Sequence, residues 1–512
     1  MAQDDASKTI AFDPTFYTWF LKQMFFNATQ LIIKLQGVFS GLGVQAYLVG
    51  GYLRDGLLGR DNEDIDLALS GDAEATARAL IEELGGNYFH LGNEQGVVRI
   101  LVQQGPVPLQ IDIALLQGAI EQDLMRRDFT LDALALPIDA FDGKWDPASL
   151  IDPTGGYRDL KNKTLRATSL TVFQDDPLRL LRGQRLAAEM GLKIEGKTEE
   201  EIKARAALLP AVSAERIRDE FCKILEAPNP GQSIRTLDRL GLLQQFLPEM
   251  DALKDVDQPK EHYWDVFDHS TETLAALDMF FQKGELFTPS GWEGPLLSLP
   301  WDPRVEEHFM DQVGDVPRTT LVKIAGLFHD LAKPSTKTIE DTGRMRFFGH
   351  AQVGAEMSKA IMERLRFSSA AASIVGKMVE EHLRPGQWSD GDLPTSKAIY
   401  RYFRDLGPVA IDTIYLNLAD HLAARGPMLQ KESWRQHIDS VKYVLEKYFE
   451  QSEKVPYPKL ITGHDIMDRF NIKPGPIIGD MLEAVEEAVA NDEVSTKEEA
   501  LDYIEKRFLV TN

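Results

Sequence analysis

Asp64 and Asp66 stand one residue apart in Glu63-Asp64-Ile65-Asp66-Leu67-Ala68-Leu69, where acidic and apolar positions alternate. On a strand of period two this spacing puts both carboxylates on one face. Two carboxylates side by side repel unless a cation sits between them, and a pair of hard oxygen ligands with room for phosphate oxygens suits Mg²⁺. Just upstream, Tyr47-Leu48-Val49 reads as a short buried strand, Gly50-Gly51 as a turn whose backbone can approach an anion closely, and Arg54 rides on the helix that follows. A D-x-D on the polar face of a strand is common by itself. Its combination with the glycine turn and Arg54 points to a site for a metal and a triphosphate.

The elements that must position these groups are legible around them. Helical apolar spacing from Ala73 to Leu84 stops at Gly85-Gly86, and strand-like segments follow at Val97 to Val102 and Leu109 to Leu116, the second carrying Asp112 between apolar neighbours. At 512 residues and 57.5 kDa the chain is too long for one core. A formal charge of −24 has the wrong sign for non-specific coating of nucleic acid, so any RNA contact must use a local basic surface. The single cysteine, Cys222, excludes an internal disulfide and a cysteine-based zinc cage, and fits a reducing compartment. Met1 to Lys8 is polar and acidic rather than secretory, which leads us to expect a cytoplasmic protein. Phe12 to Leu42 is aromatic but interrupted by Lys22, Gln23, Asn27, Gln30 and Lys34, so it reads as an amphipathic helix and not a membrane span, expected to pack on its own head domain, with contact to a membrane surface or a partner as the alternative.

Gly50-Gly51-Tyr52-Leu53-Arg54-Asp55 followed by Asp64-Ile65-Asp66 resembles the head of the class II tRNA nucleotidyltransferases and bacterial poly(A) polymerases, within the polymerase-β-like superfamily. Arg126-Arg127-Asp128-Phe129-Thr130-Leu131-Asp132-Ala133 is similar to the family motif R-R-D-[FL]-T-x-N-A, with Asp132 replacing the usual asparagine. The resemblance implies an α+β architecture: a polymerase-β-like head with a mixed sheet, then an all-α neck and body, a further domain and a helical tail. It implies catalysis by Asp64 and Asp66, with Asp112 as a third carboxylate for the attacking hydroxyl. It implies nucleotide binding by Gly50, Gly51, Arg54, Arg127 and Asp128. The family's E-D-x-x-R template, which offers acceptor and donor edges to the incoming base, maps to Asp175-Asp176-Pro177-Leu178-Arg179, with Arg182 and Arg185 nearby. Asp176 is expected to cap that helix and Pro177 to fill its first turn. The segment between Asp112 and Arg126 is short where many CCA-adding members carry a longer flexible loop, which leaves C-C addition or a diverged specificity open beside full C-C-A synthesis.

Seven of the ten histidines lie between His262 and His421, and Ala325-Gly326-Leu327-Phe328-His329-Asp330-Leu331-Ala332-Lys333 resembles the HD phosphohydrolase superfamily. In that resemblance His269, His329, Asp330, His350, His382 and Asp420 supply ligands around a bridging Asp330. They suit a one- or two-metal site that activates water against a phosphoester, with Mn, Ni, Co, Fe or Mg²⁺ as the ion. The Pro/Gly/Trp-rich segment from Phe287 to Pro317 reads as a lid or loop. The expected organisation is a helical extension over 1–44, a nucleotidyltransferase head over 45–165, a nucleotide-selecting and RNA-binding body over 166–254, an HD domain over 255–427 and a tail over 428–512. The expected partners are a tRNA or other RNA 3′ end with CTP, ATP or both. Poly(A) polymerase activity, or HD phosphohydrolysis as the principal activity, are the alternatives. No feature of the sequence fixes an oligomeric state.

Overall fold

The structure, a computed structural model, describes residues 28–60, 62, 64–91, 97–103, 108–259, 262–282, 299–388, 393–453, 460–490 and 493–509. The chain divides into two compact units, Met1–Leu208 and Leu209–Asn512.

The first unit is built on one six-stranded mixed sheet. Helix α1 (Ala28–Leu42) leads into β1 (Ala46–Val49), α2 (Gly50–Leu57), β2 (Asp64–Leu69) and α3 (Ala73–Leu84). Strands β3 (Asn87–Leu91), β4 (Val97–Val102), β5 (Leu109–Leu115) and β6 (Ala135–Pro137) complete the sheet in the order β3-β4-β5-β2-β1-β6. Only β2 and β5 run parallel. The alternation of β2 is realised as expected: Ile65, Leu67 and Leu69 are buried, whereas Asp64 is exposed and Asp66 half-buried on the other face. α3 begins at Asp72, whose carboxylate accepts from the backbone N–H groups of Glu74 and Ala75, and ends where Gly85 takes φ +75°. α1 contributes Leu31, Ile32, Leu35 and Phe39 to the same core as Leu48, Ile65 and Ile111. The part of the amphipathic reading before Ala28 lies outside the described residues.

Farther along this unit, α4 (Val172–Asp175) and α5 (Arg179–Met190) carry the arginine series. α5 starts later than the Asp176 cap would have it. Asp176 is extended (φ −147°, ψ 102°) and its carboxylate accepts from the N–H of Leu178, so it caps the turn through Pro177 and Leu178 that leads into α5 rather than the first residues of α5 itself. Gly50 and Gly51 likewise form the first turn of α2 rather than a separate loop before it.

The second unit is helical around a buried polar centre. Its central helices are α6 (Val266–Phe281), α7 (Arg318–Phe328), α8 (His350–Arg364), α9 (Ser369–Glu381) and α10 (Ala410–Arg425). The proposed lid over Phe287 to Pro317 is only partly described. Where it is described it is ordered structure, with a helix Pro303–Phe309 capped by Asp302 and two short paired strands, Gln312–Val313 and Val316–Pro317. Capping by Asp302 and a proline at the first helical position explain why a turn-rich composition still yields a helix. Among the described residues no helix is long and apolar enough to cross a membrane.

Candidate functional sites in the two units

In the first unit, Gly50, Gly51, Asp66, Asp112, Arg127, Asp128, Arg179 and Arg182 line one cavity of about 350 Å³. The sheet register explains the carboxylate side: Asp66 of β2 is directly opposite Asp112 of β5. Gly50 has φ +64°, and a Cβ there would lie 2.8 Å from Asp66 Oδ2, so glycine is required by both conformation and space. The N–H of Tyr52 donates to Asp66 Oδ2 at 3.3 Å. Burial nevertheless pushes the Asp66 carboxyl up to about 6, with Asp112 adding to the effect and the Tyr52 N–H opposing it. A half-buried carboxylate that is costly to ionise alone is one a cation would favour, which is the physical test these residues pass as holders of a divalent ion.

The basic side of the cavity is prearranged by aspartates. Arg182 Nε donates to Asp128 Oδ2 at 2.6 Å. Arg54 is held between Asp55, at 3.1 Å, and Asp132, whose Oδ1 accepts from Nη1 at 2.7 Å. Asp132 is 3 % exposed, also lines the cavity, and has its Oδ2 3.7 Å from Arg182 Nη2. Its departure from the family asparagine was visible in the sequence, yet its place between two arginines was not, because 78 residues separate it from Arg54. Arg127 reaches the Asp132 carbonyl at 3.4 Å. Arg179 lines the cavity while one of its Nη atoms donates to the Val172 carbonyl at 3.3 Å. Asp64, Asp176 and Arg185 are not among the described residues that line it. Asp64 is exposed, and Arg185 pairs at 2.8 Å with Glu189 one turn along α5.

In the second unit all six expected ligands converge. His269 lies in the first turn of α6, His329 and Asp330 follow α7, His350 opens α8, His382 closes α9 and Asp420 sits on α10. His269, His329 and Asp330 form one group able to hold a metal ion, and Asp330, His350 and His382 form another. His269 Nε2 is 3.1 Å from His329 Nε2, 3.0 Å from Asp420 Oδ1 and 3.5 Å from Asp330 Oδ2. The orientation of three rings has a shared local cause. His329, His350 and His382 each use Nδ1 to donate to a carbonyl three residues back, those of Gly326, Phe347 and Val379, at 2.7–2.8 Å. At His350 and His382, which burial keeps neutral, this assigns Nε2 as the bare nitrogen, the tautomer a metal needs. Burial pushes His382 down to about 4 and lowers His269 and His350, keeping these imidazoles neutral. At His329 the effect of burial is outweighed by Asp330 and Asp420, which raise it. Asp330 Oδ1 is buried and has no hydrogen-bond partner in the protein, as expected of an atom shaped for an ion. Lys333 Nζ, 2.6 Å from Asp330 Oδ2 and also bonded to Gln258, was missed by sequence reasoning although it stands three residues after Asp330.

Four family profiles match the chain: a poly A polymerase head domain over residues 46–118 and 106–166, a "Probable RNA and SrmB-binding site of polymerase A" over 191–254, an HD domain over 306–425, and a tRNA nucleotidyltransferase domain 2 over 451–504. An A-adding tRNA nucleotidyltransferase of Deinococcus radiodurans is 33 % identical over 467 residues, covering 90 % of this chain and 95 % of the relative. A CC-adding tRNA nucleotidyltransferase of Thermus thermophilus is 31 % identical over 468 residues, covering 90 % and 93 %. Among solved structures, a CCA-adding enzyme in its apo form shares the fold with a TM-score of 0.61 at 23 % identity, covering 98 % of this chain and 96 % of the other.

Proposed function

This chain belongs to the tRNA nucleotidyltransferase family, and on that premise we propose that it transfers CMP, AMP or both from CTP and ATP to the 3′ end of tRNA without a nucleic-acid template. The observation that carries this reading is the cavity of the first unit, which gathers Asp66 and Asp112 with Arg127, Arg179 and Arg182. Asp64 and Asp66 would hold a divalent ion, Mg²⁺ in our reading, which when bound would supply positive charge for activating a 3′ hydroxyl and for binding phosphate oxygens. The chain's own residues do the rest. Gly50 and Gly51 let backbone approach the triphosphate, Arg54 ties Asp132 to the glycine turn, and Arg127 and Arg182 offset phosphate charge. Asp112 orients the attacking hydroxyl. Asp176 and Arg179 present acceptor and donor edges to the base, with Asp128 steadying Arg182 and Glu189 steadying Arg185. The working segments are the head over 45–165 and the body over 166–254, the latter meeting the RNA.

In the second unit we propose a phosphohydrolase site in which His269, His329, Asp330, His350, His382 and Asp420 hold Mn, Ni, Co, Fe or Mg²⁺. The buried Asp330 oxygen and the inward Nε2 atoms support it. Its substrate is a phosphoester. The need for tRNA and nucleoside triphosphates fits work in the cytoplasm. One relative adds A and another adds CC at nearly equal identity, so the product has to be read directly. Transcripts of tRNA ending before C-C-A, and others ending after C-C, are incubated with CTP alone, ATP alone and both, and their 3′ ends sequenced. Incorporation that stops after one to three residues and is lost on Asp66→Asn supports the proposal. No incorporation under any condition sinks it, and long A tails would move the chain to poly(A) synthesis.

A further inference from the structure

Arg99 is absent from the motifs that mark the head, yet the sheet puts it in line with the carboxylates. β4 pairs with β5 so that Arg99 is opposite Asp112, and β5 pairs with β2 so that Asp112 is opposite Asp66. Directly opposed residues share a face of the sheet, at a strand spacing of roughly 4.7–4.9 Å. The three side chains therefore form one row, cation, anion, anion. Arg99 Nε donates to Asp112 Oδ1 at 2.8 Å and Nη2 to Oδ2 at 2.7 Å, and Gln110 Nε2 adds a longer bond to Oδ2 at 3.4 Å. This two-pronged geometry fixes the plane of a carboxylate as well as its charge. The pair is only partly solvent-exposed, 30 % for the arginine and 21 % for the aspartate, so its field is not screened away as at an open surface. Asp64 and Asp66 also act on Arg99, adding to the pull of Asp112 that raises its affinity for its proton.

We propose that Arg99 is a positioning residue of the transfer reaction: it holds Asp112 beside Asp66, and its fixed positive charge sets how tightly the carboxylate row binds a divalent cation. The inference rests on the reading that Asp64 and Asp66 hold such an ion. With Arg99 in place the row Arg99-Asp112-Asp66 carries one net negative charge. Without it the row carries two, and the cation meets an unbalanced Asp112. The consequence runs against ordinary damage, since removing the arginine tightens metal binding.

The test titrates Mn²⁺ into the full-length chain and follows free Mn²⁺ by electron paramagnetic resonance. The head's share is the part of the isotherm removed by Asp66→Asn. Arg99→Gln is expected to tighten that share about tenfold, the effect of one unit charge a few ångströms beyond the ligands at intermediate dielectric. Arg99→Lys, which keeps the charge, should stay within about threefold of wild type, and Asp112→Asn should loosen binding by about tenfold. The double variant R99Q/D112N should return to within about threefold of wild type, because charge and counter-charge leave together. Unchanged or weaker binding in R99Q overturns the inference, as does an R99K variant that tightens as much as R99Q. An isotherm that D66N leaves untouched overturns the metal reading of the head itself, which separates the two failures.

Discussion

Asp66→Asn should make the metal-free head more stable while abolishing nucleotidyl transfer. The carboxyl of Asp66 is pushed from its ordinary 3.8 up to about 6, chiefly by burial. Between those two values the folded chain binds a proton that the unfolded chain has released, so stability falls as pH rises through this window. Above pH 6 the whole penalty stands, an upper bound of about 3 kcal/mol at 1.36 kcal/mol per pKa unit. Partial exposure of the side chain reduces it to about 2 kcal/mol. Asparagine keeps the acceptor for the Tyr52 N–H and carries no charge. The assay is hydrogen exchange of β2 and β5 amides in the full-length protein, with chelator, at pH 8 and at pH 4, corrected for the intrinsic exchange rate. These amides report opening of the head sheet alone, which matters in a chain of two units where one global unfolding free energy is not defined. Protection in the variant should exceed wild type at pH 8 and match it at pH 4. Saturating Mg²⁺ should raise wild type and leave the variant where it is. If wild type is at least as protected as D66N at pH 8, or the difference is the same at both pH values, the reasoning is wrong.

Gly50→Ala combines a left-handed backbone (φ +64°) with a Cβ 2.8 Å from Asp66 Oδ2; it should cost about 1–3 kcal/mol in head stability and a larger share of activity, read by the same exchange assay and by transfer kinetics. Asp132→Ala removes the acceptor between Arg54 and Arg182, and should raise KM for the nucleoside triphosphate by about tenfold, whereas Asp132→Asn keeps one acceptor and should lose less. Stripping the second unit of metal with a chelator should lower the melting temperature of its helices, and His350→Ala should reproduce that loss without further response to chelator, followed by differential scanning calorimetry. Lys333→Met leaves Asp330 without its 2.6 Å ion partner; phosphoester hydrolysis should fall while transfer to tRNA by the first unit stays at the wild-type rate.

How much of this was legible before the structure depends on sequence distance. Gly50, Arg54, Asp64 and Asp66 lie within one strand-helix-strand unit, and their alternation and turn chemistry determine their relative placement locally. The six expected ligands of the helical unit were recognisable in order through their resemblance to the HD superfamily, and four of them, His329, Asp330, His350 and His382, stand at helix ends. What was not legible are pairings across strands or between remote helices. Arg99 meets Asp112 only through the β4-β5 register, which no local pattern of either strand specifies. Asp132 meets Arg54 because the segment after Arg127 folds back to β1, and Lys333 meets Gln258, 75 residues away, as well as the nearby Asp330. A sequence such as D-D-P-L-R satisfies the rules for a helix start at several adjacent positions, so Asp176 makes a capping bond to Leu178 while the regular helix begins only at Arg179.

The two candidate sites balance their charges in opposite ways, and this difference bears on how each would respond to an ion. In the head, negative charge is offset by arginines already in the fold, at Asp112 by Arg99, at Asp128 by Arg182 and at Asp132 by Arg54. At Asp66 burial opposes ionisation of the carboxyl. An ion bound there would relieve the Asp66 penalty but would meet a row whose negative charge Arg99 has already reduced, which favours exchange as nucleotides come and go. In the helical unit burial keeps His269, His350 and His382 neutral, while Asp330 Oδ2 meets Lys333 at 2.6 Å and His329 at 3.1 Å and Asp420 meets His269 at 3.0 Å. Nε2 of His350 and Oδ1 of Asp330 are buried without a hydrogen-bond partner in the protein, an arrangement that costs about 1–3 kcal/mol for each such group and that a bound ion would relieve. The head is therefore arranged for exchange and the helical site for retention, and a chelator added to the purified protein should halt transfer within the mixing time while the second unit gives up its ion slowly, as helices open.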